Sequence, residues 1–476
     1  MNRKTKTYIL IYVLIYSTVS IIILSGALVW SYSFYLSINR QIKAKKAFSI
    51  AESGTEIYRW YLNHFREDYQ GISGEYNFKN RLEETIGKYK LEVTPPLSGS
   101  TIVKIKSTGN LLNDNIEKII EITLGIPSLA KYSVVSNSNI RFGEGTVVYG
   151  EIHSNGGIRF DGVANNLISS ALETYDDPDH DGPNEWAVHT HRSPIDPLPP
   201  TEWNNRPEVF KAGRRRGVPQ IDFIGISYNL AELKNLASTT GVYVGFSGNN
   251  RWGYEIIFKE NGTFDLYRVN SVFSHSNCSF YDIGRVGYTN VNERYFRNTW
   301  SITNKTFISN YNIPTSGIIF VEDNVWVSGK IKDKRIIVAS AKFPDNPNER
   351  TNIIINNDLS YTHYDGKDVI GLIAQRNIYV GLKSEDDLRI DAALIAQNGR
   401  VGRIHYTSGC GPEYIRATIT VYGMIGSNIR YGFAWTDGTG YRNRILIYDY
   451  NLLYGPPPRF PLASEFYEIL KFREIK

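Results

Sequence analysis

The sequence predicts a mainly β chain that carries an N-terminal membrane-spanning α-helix, a small antiparallel sheet, and a parallel β-helix or solenoid-like domain with an α+β insertion. Three observations carry this. Residues 7–39 contain no charge, and about 20 apolar residues in a helix span a bilayer's hydrocarbon core. Residues 72–130 alternate apolar and polar positions, the period of a half-buried strand. Beyond Val134, short β phrases recur, and periods of twenty-odd residues indicate a solenoid. A composition of 42% hydrophobic and 21% charged residues over 476 positions excludes disorder for most of the chain. Two Cys, neither in a CxxC, exclude a disulfide scaffold and a thiolate zinc site.

The net charge of +5 is local. Seven basic residues (Arg3, Lys4, Lys6, Arg40, Lys43, Lys45 and Lys46) and no acid lie in residues 1–46, which leaves the remainder slightly acidic. A nucleic-acid-binding body would carry its own basic surface. The one dense cluster there, Arg214-Arg215-Arg216, reads as a solvated loop. Nucleic acid is not an expected partner.

The first element is the helix. Its centre, residues 9–30, is rich in Ile, Leu, Val and Tyr, and Trp30 suits an interfacial belt. Basic residues flank both ends, so charge sets no orientation, and the short N-terminal tail is placed in the cytoplasm. Ser25-Gly26-Ala27 offers the spacing of a signal-peptide cleavage site as the competing reading. Past the apolar run, Ala47, Ile50, Ala51, Gly54, Ile57, Tyr58, Tyr61, Leu62 and Phe65 recur at intervals of three and four. That spacing lays one apolar stripe along a continuing helix, and the stripe needs a partner surface.

The basic stretch followed by Ala47-Phe48-Ser49-Ile50-Ala51-Glu52-Ser53-Gly54 resembles the N-terminal region of PilX-type, type IV pilus-associated proteins, over residues 8–65. The resemblance implies a pilin-like helix in the cytoplasmic membrane with the rest of the chain outside. The sequence departs from the family in having no Gly-Phe processing site before the apolar run and no Glu near its start.

Next come three alternating runs, around Tyr89, Leu91 and Val93, at residues 101–106, and at residues 116–124, where Ile120, Ile122 and Leu124 share a face. Pro95-Pro96 and Gly109-Asn110 separate them, so residues 71–133 form a small antiparallel sheet packed on the helix. In the body, Val148-Tyr149-Gly150-Glu151-Ile152-His153-Ser154-Asn155 returns as Val421-Tyr422-Gly423-Met424-Ile425-Gly426-Ser427-Asn428. Leu372-Ile373-Ala374-Gln375 returns as Leu394-Ile395-Ala396-Gln397. Residues 316–455 therefore read as stacked coils with Gly and Asn at the corners, and 134–165 as a detached coil of the same stack; a β-sandwich is the competing reading. Residues 166–315 interrupt the pattern with a loop at 175–206, a helix at 230–238, and strands that turn at Asn261-Gly262. Residues 456–476 read as a C-terminal cap. Together with Asp437-Gly438-Thr439-Gly440 and the run at 452–458, the repeats resemble bacterial surface proteins that couple a PilX-like anchor to a β-helical, polymer-forming-like domain.

The sharpest chemical signal is Asp177-Pro178-Asp179-His180-Asp181-Gly182. Alternating carboxylates before a glycine suit an oxygen-liganded Ca²⁺ loop. The twelfth position is Val188, which excludes an EF-hand, so the expected ligands are Asp177, Asp179, Asp181 and Glu185. His180, His189 and His191 suggest zinc less strongly, because an i, i+2 pair chelates only on a strand or a particular loop. Asp386, Asp387 and Asp391, with Arg389 nearby, read as solvated turns in preference to a polysaccharide-degrading site. No GxSxG, P-loop or HExxH occurs, and no cofactor beyond possible Ca²⁺ is expected. Cys278 and Cys410 can pair only in an oxidising compartment.

The expectation is a non-enzymatic, single-pass, membrane-anchored surface protein related to pilin-like assemblies. Its partners would be the bilayer through residues 8–38, pilus or pilin-like subunits, and a glycan or protein ligand. A surface-tethered β-helical carbohydrate-active enzyme is the alternative.

Overall fold

The computed structural model describes residues 3–97, 99–223, 225–274, 278, 280–281 and 299–475. The chain forms two compact units, one of Met1–Pro95, Ile102–Gly125 and Phe466–Lys476, the other of Pro96–Thr101 and Ile126–Glu465.

In the first unit, helix α1 (Arg3–His64) runs unbroken for 62 residues. Residues 8–38 are exposed throughout. The later half seats Ala47, Ile50, Ala51, Tyr58 and Leu62, all buried, on a five-stranded antiparallel sheet. That sheet orders as β1 (Gly74–Lys79), β2 (Thr85–Thr94), β3 (Val103–Leu111), β4 (Glu117–Gly125) and a last strand, Glu468–Ile475. Period-two alternation turns Tyr89, Leu91, Val103, Ile105, Ile120, Ile122 and Leu124 inward, where all are buried. Two expectations need correction. Ile57 and Phe65 lie off the seated stripe and are exposed. The C-terminal segment does not cap the β domain as a whole: Glu468–Ile475 pairs with β4 and covers its otherwise open edge.

The second unit is a large sheet of mostly parallel pairings. Each turn of chain places its strand one step along, in register with the last. One column of side chains shows the logic. Val242, Ile319, Val338, Leu372, Leu394, Ile425, Val134, Ile152 and Ile168 stand on successive strands as register partners. All but Val242, which is half-buried, are buried. The stack therefore does not follow chain order. It runs from 242 to 427, then continues with 134 to 215.

This continuation explains the twin phrases. Val421 pairs with Leu446 and Leu446 with Val148; Ile425 pairs with Val134 and Val134 with Ile152. The two copies lie two turns apart, separated by a turn built from Gly440–Tyr448 and Val134–Ser136. Corners are braced by ladders. Ser427, Ser136, Ser154 and Ser170 align and are buried. Asn155 donates to Asn137 at 2.7 Å and Asn137 to Asn428 at 2.8 Å, while Asn377 donates to Asn352 and Asn352 to Asn324. Identical residues on adjacent turns satisfy each other's amides, so these asparagines bridge neighbouring corners.

Residues 166–315 do not form a separate insertion. Ile168–Ser170, Val242–Val244 and Gly253–Phe258 pair in parallel with the turns beside them and belong to the stack. Thr263–Val272 and Ile302–Asn312 extend antiparallel from Gly253–Phe258. Helix α2 (Gly225–Thr240) packs Leu230, Leu233 and Ala237 with Ile318 and Phe320. Residues 282–298 of this stretch lie outside the described residues. Cys278 and Cys410, 132 positions apart, form a disulfide.

Candidate metal centre

After Ile168–Ser170 the chain leaves the stack. Thr174–Tyr175 pairs antiparallel with Glu185–Trp186, which closes the acidic loop between them into a hairpin. Val188–His189 then pairs in parallel with Ile158–Phe160, with His189 opposite Arg159. Val188 enters the apolar core, and strand alternation sends His189 the other way, toward the hairpin.

This topology gathers Asp177, Glu185, His189 and His191, with one ligand atom of each within 4.8 Å of all the others. His189 Nε2 lies 2.6 Å from Glu185 Oε2 and 3.7 Å from Asp177 Oδ2. His191 Nε2 lies 2.6 Å from Glu185 Oε1. Asp177 is turned inward by an Asx turn, its Oδ1 accepting the Asp179 N–H at 3.1 Å. His189 Nδ1 is 3.0 Å from the Trp186 carbonyl, which only accepts, so Nδ1 carries a hydrogen and Nε2 faces the carboxylates. Burial opposes the imidazolium of His189, but Asp177 and Glu185 outweigh it and push its pKa up to about 9. Burial likewise opposes charge on Asp177 and Glu185, yet His189 holds the first, and His189 with His191 the second, below the ordinary carboxylate range.

Of the four residues expected to bind Ca²⁺, the fold brings together two. Asp179 points to arginines, 2.7 Å from Arg430 Nη1 and 3.6 Å from Arg141 Nη1, and Asp181 is exposed. His189 and His191 join instead: His189 ends the strand Val188–His189, and the extended segment after it brings His191 to the same side. His180 sits at the rim, its Nδ1 3.5 Å from Glu185 Oε1. The sequence signal for the histidines was the His-x-His spacing itself; what it lacked was the pairing of residues 188–189 with 158–159.

Other clusters are engaged in bracing the fold. Asp368 accepts the backbone N–H groups of Lys334, Thr362 and His363, which leaves its contact with His363 and exposed Asp333 a turn brace. Asp391 is buried and accepts from the Tyr361 N–H and the Tyr364 hydroxyl, whereas Asp387 is exposed and Asp386 accepts the Ala417 N–H, so these contacts do not draw the three carboxylates to one point. The arginine run is not simply solvated: Arg214 is buried against Asp196 and over Trp203, and Arg216 pairs with Glu173 and Glu202, which leaves only Arg215 exposed.

No family model matches this chain, and no curated protein matches it. Among solved structures it is similar to the competence-associated pilin ComZ from Thermus thermophilus, at 11% identity and a TM-score of 0.29, over 91% of this chain and 98% of that one. Folds at that score are not globally alike.

Proposed function

We propose that this chain is a non-enzymatic, membrane-anchored envelope protein of pilin-like design. Residues 8–38 cross the cytoplasmic membrane with the N-terminus inside, and the β-helical body projects outward for a structural or adhesive role. The carrying observation is α1, one unbroken helix with a bare apolar half and a seated half. The bare half is rich in Ile, Leu, Val and Tyr, and its most apolar stretch is wholly unburied. Leaving such a surface in water forfeits about 25 cal/mol for each Å² of apolar area, and a bilayer or neighbouring anchor helices remove that cost. Continuity into the seated stripe favours an anchor over a cleaved leader, since cutting after Ala27 would leave residues 28–38 exposed on the mature chain. The disulfide fits an oxidising compartment. Partners of the bare half are lipid and pilin-like subunits; glycan or protein surfaces would meet the β body.

The test combines membrane fractionation with protease added to intact cells that produce the chain. The expected result is a full-length chain in the membrane fraction, resistant to alkaline extraction, from which external protease removes the part beyond His64. A body protected until lysis, or a chain released as soluble protein, overturns the reading.

A further inference from the structure

We propose that Asp177, Glu185, His189 and His191 bind one divalent first-row transition-metal ion of the Zn²⁺ type, which ties the 174–186 hairpin to Val188–His189, the strand paired with Ile158–Phe160. This inference is independent of how the chain is anchored.

The argument begins with atoms that have no hydrogen-bond partner. Asp177 Oδ2, Glu185 Oε2 and His189 Nε2 are fully buried and make no aligned hydrogen bond, although they face one another. Their residues are only 4%, 5% and 2% exposed, too enclosed for bulk water to compensate. With Nδ1 of His189 committed to the Trp186 carbonyl, Nε2 of the neutral ring is a third acceptor beside the two carboxylate oxygens. Two carboxylate oxygens and a ring nitrogen converging at a buried point call for positive charge, of which Arg159 supplies part from 3.5 Å on the Asp177 side. A proton on His189 Nε2 can serve one of them. A metal ion serves all three and takes His191 Nε2 as a fourth ligand.

The donor set selects the ion. Two imidazoles and two carboxylates suit zinc and its first-row neighbours, whereas Ca²⁺ takes six to eight oxygens. The supporting contacts match a ligand shell. The Nδ1–H bond of His189 to a carbonyl fixes ring orientation and tautomer, as partners of metal-bound histidines do. Arg159 braces the carboxylates, its Nη1 3.5 Å from Asp177 Oδ2 and its Nε 2.9 Å from Asp161 Oδ2. Four protein ligands make a closed, structural centre with no position reserved for a substrate. Asp177 lies in the hairpin loop, Glu185 and His189 on the short strands Glu185–Trp186 and Val188–His189, and His191 just beyond, so one ion ties these segments together.

The experiment uses the full chain in detergent micelles, stripped with EDTA and then titrated with Zn²⁺, or with Co²⁺ as a spectroscopic reporter. The expected result is one equivalent bound, a Co²⁺ visible spectrum of low coordination number, and a melting midpoint that EDTA lowers and Zn²⁺ restores. His191→Ala tests the site at its edge, and circular dichroism verifies its folding; affinity should fall ~100-fold or more, because a first ligand matters at least as much as the outer partners whose loss costs 10–100-fold. Glu185→Gln keeps the shape and should lose affinity too, whereas Asp181→Asn should bind as the parent does. Folded, stripped protein that takes up neither ion overturns the proposal and leaves a protonated His189 between two carboxylates. Preferential Ca²⁺ binding that survives His191→Ala also overturns it, in favour of an all-oxygen site.

Discussion

His153 occupies the place that Gly426 holds in the twin phrase, and its side chain is buried with its ring nitrogens at 3.0 Å from Ser169 Oγ and 3.1 Å from Asn155 Oδ1. Burial disfavours the imidazolium; the Asn155 contact pulls the other way, Lys131 adds repulsion, and the pKa ends below its ordinary value of 6.5. The sign of the consequence follows. The unfolded chain takes up a proton near pH 6.5 and the folded chain does not, so this residue's contribution is present above that pH and is lost as pH falls toward the depressed folded value. Urea midpoints measured from about pH 8 to about pH 5 should therefore drop more steeply for the parent than for His153→Gln, which keeps a polar group without the titration. Parallel curves would show that a charged His153 is accommodated.

At the scale of elements, the seating of α1 depends on a taper in β3. Val103, Ile105, Ser107 and Gly109 face the helix, and the two large residues give way to two small ones, so the helix backbone comes close at Gly109. A Cβ there would sit 2.4 Å from the Ala47 carbonyl oxygen and 2.4 Å from the Ala51 nitrogen, both backbone atoms that cannot swing aside. Gly54 answers from the helix side: its added Cβ would meet Ser107 Oγ at 2.6 Å. Gly109→Ala should cost ~1–3 kcal/mol, the range for overpacking a filled interface, whereas Gly26→Ala, with nothing within 4 Å, should leave denaturation of the full chain unchanged. Equal stability of Gly109→Ala and the parent would contradict this seating. The helix, its stripe and the alternating strands were legible because their signals are periods within a dozen residues. The twin phrases revealed a shared stack because Val, Ile, Ser and Asn each serve a fixed place in a turn. Pairings across the chain left no local mark: Glu468–Ile475 on β4 depends on an open edge far away in sequence. The candidate metal centre was half legible for the same reason, since Asp177 and Glu185 belong to one hairpin while His189 is aimed by a partner strand at 158–160.

For the β body as a whole, the departure of stack order from chain order has an energetic consequence. The turn made of Gly440–Tyr448 and Val134–Ser136 lies between Ile415–Ser427 on one side and the 146–154 strands on the other. Asn137 and Asn428 meet there although 291 residues separate them. The Ser128 N–H bonds the Leu453 carbonyl and the Ala463 N–H bonds the Pro127 carbonyl, both at 2.8 Å, so the same seam fixes where the chain joins and leaves this body. In stacked architectures each turn is stabilised by its neighbours, and terminal turns open first. The seam is interior to the stack, whereas Arg214–Arg215 and Val242–Val244 stand toward its two ends. Hydrogen exchange should therefore place peptides from residues 134–149 and 415–448 in one slow class, with the end turns exchanging sooner. Pairings this remote in sequence also make assembly slow, because loop closure precedes any gain from contact. If residues 134–149 exchange well before 415–448, the early turns form a separate cooperative unit and the seam is a weak junction. If both segments exchange together, neither stretch is stable until the other is in place, and the body folds only once the whole chain from Val134 to Tyr448 has been made.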